Sequence, residues 1–129
     1  MTNSGILNPQ ILSLLARVRH TNALVIADRG FPFWPQIETV DVSVVDDVPT
    51  VLQLIRAVRE NHHFTEAYMA KEFLKNNFKT THQKYRVALR TVPTKFEPHI
   101  EFKKRVPRAI GIIRTGETVQ YANMMLISG

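Results

Sequence analysis

The 129 residues include no cysteine, which excludes disulfides, thiolate nucleophiles and zinc–thiolate sites. Glycine is scarce, and no G-x-G-x-x-G or G-x-x-x-x-G-K-[ST] run is present to cradle a phosphate. No serine lies in a nucleophile elbow. No apolar stretch approaches the ~20 residues needed to span a bilayer. The opening MTNSGILNPQILSLL lacks the basic and apolar regions of a signal peptide. These absences predict a cytoplasmic protein with no membrane partner. There is also no internal repeat, no low-complexity segment and no linker, so the chain reads as a single domain able to bury roughly two thirds of its unfolded surface.

What the chain does have is positive charge, a net +6. The cations are spread over Arg56, Arg59, Lys71, Lys75, Lys79, Lys84, Arg86 and Arg90, with one tight group at Lys103, Lys104 and Arg105. Spread of this kind reads as solvated helix faces, and no nucleic-acid motif accompanies it, so no nucleic-acid partner is expected. The excess can also gather anionic ligands.

Helix and strand signals alternate. Asn8-Pro9 starts a helix, carried to about Arg19 by Ile11, Leu12, Leu14, Leu15 and Val18. Ala23–Ala27 is a short, wholly apolar strand, and Thr39–Val45 alternates as a second. Asp46-Asp47-Val48-Pro49 is expected to open a helix with Val51, Leu52, Ile55 and Val58 buried. A strand from about Glu66, a helix over Thr80–Leu89, a short helix holding His99 and Lys103 between prolines, a strand Ala109–Arg114 and a last strand Tyr121–Ser128 follow. The pattern predicts an α/β fold, a mostly parallel or mixed sheet flanked by helices.

The candidate chemistry centres on HTNALVIADRGFPFWP, residues 20–35. His20 precedes the buried strand and Asp28 ends it, at the carboxyl edge where open α/β sheets place their sites. Spacing alone leaves open that Asp28 only caps the turn. Phe31, Phe33 and Trp34 in the next loop suit burial, sugar stacking or a subunit contact. His99 and Lys103 are four apart on one helical face. Strand alternation would put Tyr121 and Asn123 on one face, a phenol and an amide suited to hydroxyl groups. His62-His63 on a strand would point apart, and His82 in a polar helix would be solvated.

Gly5-Ile6-Leu7-Asn8, Arg17-Val18-Arg19-His20-Thr21, Asp28-Arg29-Gly30-Phe31-Pro32, Val48-Pro49, Ile113-Arg114-Thr115-Gly116-Glu117 and Tyr121-Ala122-Asn123 occur in an order and spacing that resemble the ribose pyranase and fucose mutarotase family throughout the chain. The resemblance implies ring-shaped homo-oligomers, commonly decamers, with a free monosaccharide bound between subunits. It implies interconversion of ring or anomeric forms without cofactor or metal. By position His20 matches the family's catalytic histidine and Asp28 its paired acid. His99, Lys103, Tyr121 and Asn123 match sugar-binding positions. Fucose mutarotases tend to carry arginine where His99 stands, which favours ribose. Three positions depart from the family pattern: Arg19 and Asn22 around the histidine, and Arg29 beside Asp28. Arg29 is a candidate for pairing with Asp28, or for changing specificity toward an acidic or phosphorylated sugar. Two alternatives to a pyranase or mutarotase stand at this point, a non-catalytic sugar-binding protein on the same fold and a basic interaction module.

Overall fold

The computed structural model describes residue 3 and residues 5–129. The leader reading begins on Met1, Thr2 and Ser4, which lie outside the described residues. Six strands form one mixed sheet: β1 (Ala23–Ala27), β2 (Glu38–Asp41), β3 (Phe64–Ala70), β4 (Thr94–Glu97), β5 (Ala109–Arg114) and β6 (Met124–Ser128). Their order is β2-β5-β1-β6-β3-β4. Neighbours are parallel except at β6, which runs antiparallel to both β1 and β3. One edge of the sheet therefore collects the carboxyl ends of five strands and the amino end of β6.

Among the described residues five α-helices accompany the sheet, α1 (Pro9–Arg17), α2 (Val51–Asn61), α3 (Lys71–Asn76), α4 (Lys79–Leu89) and α5 (His99–Arg105), with a 3-10 turn at Val106–Arg108. Asn8 caps α1 by accepting from the Ile11 N–H at 2.9 Å. β1 is buried along its whole length, because helices and loops cover both faces of the sheet. Leu24 and Ile26 join the core under α1, α2 and α4, while Ala23, Val25 and Ala27 pack with Phe31, Ile37 and α5's Phe102. Burial of each large aliphatic here is worth about 1.5–3 kcal/mol. Among the described residues no helix is long and apolar enough to cross a membrane.

The elements differ from the sequence expectation in several places. The first helix stops at Arg17, where Val18 turns extended. β2 ends at Asp41, and the rest of the expected strand folds back through a Val45–Val48 bridge. The second helix starts later than expected. Thr50 and Gln53 form its capping box, while Asp47 instead accepts from the N–H and hydroxyl of Thr118 at 3.0 and 2.7 Å. β3 gives way at Lys71 to the unexpected α3, and β4 was not legible in TKFE. The last strand begins at Met124, three residues late, because Tyr121 has φ +56° and cannot lie in a strand. His62 and His63 lie between α2 and β3 rather than on a strand.

Candidate active site

The shared edge is where the predicted chemistry collects. Asp28 follows β1, His99 follows β4, and Tyr121 and Asn123 precede β6. These four, with Phe31 and Gln120, line an open cleft of about 320 Å³. Other clefts of similar size occur among the described residues, one lined largely by apolar side chains and one at the same edge, beside Arg29 and Arg114. Among these clefts, the one at Asp28 joins an acid, an imidazole, a phenol and an amide.

Each group is held from the backbone upward. The Asp28 N–H donates to Asn123 Oδ1 at 2.7 Å, and Asp28 Oδ1 accepts from the Gly30 N–H at 3.1 Å. Asn123 is buried, its amide oxygen is engaged by the Asp28 N–H, and its side chain also bonds the Asp28 carboxylate. Burial raises the Asp28 pKa above its ordinary value, against the bonds from Gly30 and Asn123, and the nearby Glu117 adds to the rise. Tyr121 and Asn123 reach the same cleft, but by a positive-φ turn and not by strand alternation. The Tyr121 ring meets His99 edge-on at 5.1 Å.

His99 is the first residue of α5, and its N–H is gripped by both carboxylate oxygens of Glu72 at 3.0 and 3.1 Å. Its Nδ1 is buried without a hydrogen-bond partner among the described residues, a state that suits a ligand hydroxyl. Burial and then Lys103 lower the His99 pKa, so the ring is neutral at pH 7 and able both to donate and to accept. The unfolded chain then binds more protons than the folded one as pH falls below about 6.5, and stability drops there. Replacing His99 with Gln should flatten the acidic side of a denaturant-midpoint profile. An unchanged slope would put its titration outside this burial effect. Lys103 sits one turn along α5 and is only half-buried.

Glu117, named in the sequence only within the Ile113-Arg114-Thr115-Gly116-Glu117 motif, is a second acid at this edge and more deeply buried than Asp28, 3 % exposed. It follows β5 as Asp28 follows β1, so the argument that singled out Asp28 would have found it. Tyr85, buried on α4, donates to Glu117 Oε1 at 2.7 Å. Tyr85→Phe leaves that acid without its donor and should cost about 1–3 kcal/mol. Equilibrium urea unfolding measures this, and a neutral result would mean that Glu117 finds another partner.

Two candidates lie elsewhere. Arg29 does not pair with Asp28. Its Nη1 meets Asp46 Oδ1 at 2.7 Å, outside the cleft. His20 is exposed at the opposite edge of the sheet, before β1. Five strand residues, about 16 Å at ~3.3 Å each, separate the two ends of β1. The His20 turn is well built: Asn22 Oδ1 accepts from the Arg19 N–H at 2.9 Å, so the amide does the work open to an acid there. Ser128 in β6 clamps the turn, its C=O accepting from the Thr21 N–H and its N–H donating to Asn22 O, both at 2.9 Å. Among the described residues no group of three or more His, Asp and Glu is placed to hold a metal.

The sequence model of the RbsD / FucU transport protein family matches residues 1–129. The chain belongs to the RbsD/FucU family. A D-ribose pyranase of Geobacillus kaustophilus is 37% identical over 129 residues, covering 100% of this chain and 94% of that protein. The solved RbsD of Bacillus subtilis, complexed with D-ribose, superposes with a TM-score of 0.91 at 29% identity, covering 100% of this chain and 98% of the other. The fucose mutarotase of Streptococcus pneumoniae, in complex with L-fucose, has a TM-score of 0.81 at 20% identity over 95% of this chain and 92% of its own. At that identity the likeness shows the RbsD/FucU fold alone.

Proposed function

We propose that this RbsD/FucU protein is an isomerase that converts free D-ribose between its pyranose and furanose forms. It works in the cytoplasm as a ring of identical subunits, commonly ten. The observation that carries the reading is the cleft joining Asp28, His99, Tyr121 and Asn123, in a chain similar throughout its length to D-ribose pyranases. Each cleft is completed by His20 from a neighbouring subunit, since β1 holds a chain's own His20 at the far edge. A head-to-tail contact of this kind closes into a ring.

Ring opening needs a base to take the proton of the anomeric hydroxyl and an acid to protonate the ring oxygen as its bond to C1 breaks. The open aldehyde is then attacked at C1 by another hydroxyl, which gives up its proton in turn. His20 moves the proton in both directions, as an imidazole does near neutral pH. Asp28 orients it or accepts a sugar hydroxyl. The Asn123 amide, the Tyr121 phenol, His99 and Lys103 hold the remaining hydroxyls. The reaction is already spontaneous, and a proton-transfer group supplying about 10²–10⁴-fold suffices.

Magnetisation-exchange NMR on free ribose, with catalytic protein at neutral pH, tests the proposal. Faster exchange between pyranose and furanose signals is the expected result. Enhancement confined to fucose anomers would move the protein to the mutarotase branch. Saturable ribose binding with no enhancement would make it a non-catalytic sugar binder.

A further inference from the structure

A second cavity, of about 350 Å³, lies between α3, α4, β3 and β4. Its walls are apolar: Met69, Phe73, Tyr85 and Phe96 among them. α4 contributes His82 and the exposed Arg86, one turn apart on one face, and the residue that caps it, the exposed Arg90, lines the same cavity. His82 is not the solvated side chain its polar helix suggested. Its ring lies 5.5 Å from Phe73, and its Nε2 is buried with no hydrogen-bond partner among the described residues. Buried polar atoms in folded proteins are almost always satisfied, so this one calls for a partner.

Neither arginine of the cavity is held in an ion pair: six occur among the described residues, and none includes Arg86 or Arg90. The neighbouring Arg59 on α2 has a buried Nε without a partner, and after burial itself the charge of Arg90 is what most depresses its pKa. Arg90 also caps α4 at φ +52°, a conformation that ordinarily selects glycine or asparagine. The cation-rich side of the cavity therefore has room for an anionic group.

We propose that this cavity binds a small ligand with an apolar ring and one anionic head. The ring lies against Phe73, Tyr85 and Phe96, the head meets Arg86 and Arg90, and a polar atom of the ligand satisfies His82 Nε2. The volume is ample, since a cavity of ~150 Å³ already admits benzene. The apolar walls and the paired guanidinium groups divide the ligand into those two parts. The head is a carboxylate or a phosphate monoester, both of which suit the planar donors of arginine. The site is distinct from the sugar cleft.

Phenyl phosphate and benzoate serve as probes, with inorganic phosphate and phenol as controls. Titration of the assembled protein, followed by calorimetry and by the imidazole NMR signals of its histidines, should show one saturable site per subunit that moves the His82 signals. Whichever of phenyl phosphate and benzoate binds more tightly identifies the head. Phosphate or phenol alone should bind at least about tenfold more weakly, a difference of ~1.4 kcal/mol. Arg86→Gln should weaken binding about tenfold. Arg90→Gly should do the same, and because it relieves the positive φ its loss of binding is not a loss of fold. Ribose exchange should persist in both variants. The proposal is overturned if neither probe saturates at low-millimolar concentration, if the arginine variants bind undiminished, or if the shifts map to His99 and not His82.

Discussion

A His20→Ala chain and an Asp28→Asn chain, each nearly inactive alone, should recover activity when unfolded together and refolded as a mixture. Alone, each variant loses a proton-transfer or orienting group and should fall by about 10²–10⁴-fold in ribose exchange. In a mixed ring, a cleft works wherever an intact Asp28 faces an intact His20 from the next subunit. With the proposed head-to-tail contact, equal mixing gives that arrangement at about a quarter of the clefts, each side being drawn independently. The quantity to measure is the magnetisation-exchange rate of the mixture against the two variants refolded separately. If both groups had to come from one chain, no mixture could restore the site, and recovery would be absent. The geometry argues against that, since the strand between them is buried and paired with β5 on one side and β6 on the other.

Gly116→Ala should produce the largest loss of stability among the substitutions considered. A Cβ at this position would run into the Val45 carbonyl oxygen and would stand 3.0 Å from both the N and the O of Val48. These are backbone atoms and cannot swing aside. The segment they belong to is tied to Gly116 from both directions: Gly116 N–H donates to Pro49 O at 2.9 Å, and Asp47 N–H donates back to Gly116 O at 2.6 Å. Relief of the clash must therefore break these bonds or push Thr115 and Glu117 off β1. Overpacking of this kind costs about 1–3 kcal/mol or more, and a 129-residue domain loses about 4 °C of Tm per kcal/mol. Because Glu117 and Asp28 lie next to the displaced backbone, exchange activity should fall with it. A variant that unfolds within about 2 °C of the parent, equivalent to ~0.5 kcal/mol, would mean that the 45–48 segment yields more easily than its hydrogen bonds suggest.

What the sequence disclosed, and what it hid, follow from where the determining forces lie. β1 and β5 were legible to the residue because ALVIA and AIGIIR are continuous apolar runs, and burial on both faces demands that pattern. The α1 start was equally plain, since Asn8-Pro9 satisfies its own first turn. β4 was hidden because TKFE is a short edge strand with one neighbour, and its pairing with β3 is a tertiary event. Tyr121 was assigned to a strand because no residue type in YAN announces a positive φ, yet it still reached the cleft beside Asn123. Asp28 was found from its place at a strand end, while Glu117 in the same relation to β5 was named only within its motif. His82 looked solvated because its helix neighbours are polar. Phe73, on a helix that was itself not anticipated, is what covers it. Full separation of His20 from Asp28 needed only the length of β1, and was foreseeable on that ground.

The position of β6 bears on how the protein is made. β6 is the last strand in the chain and lies in the middle of the sheet, between β1 and β3. During synthesis the β2–β5–β1 group and the β3–β4 pair emerge before the strand that joins them. Until Met124–Ser128 clears the ribosome, β1 and β3 are both open edges, and open edges invite pairing with other chains. The same late strand carries Ser128, which clamps the His20 turn. A nascent chain therefore acquires its joined sheet and its ordered histidine in one closing step, and is exposed to chaperones and to neighbouring nascent copies of itself until then.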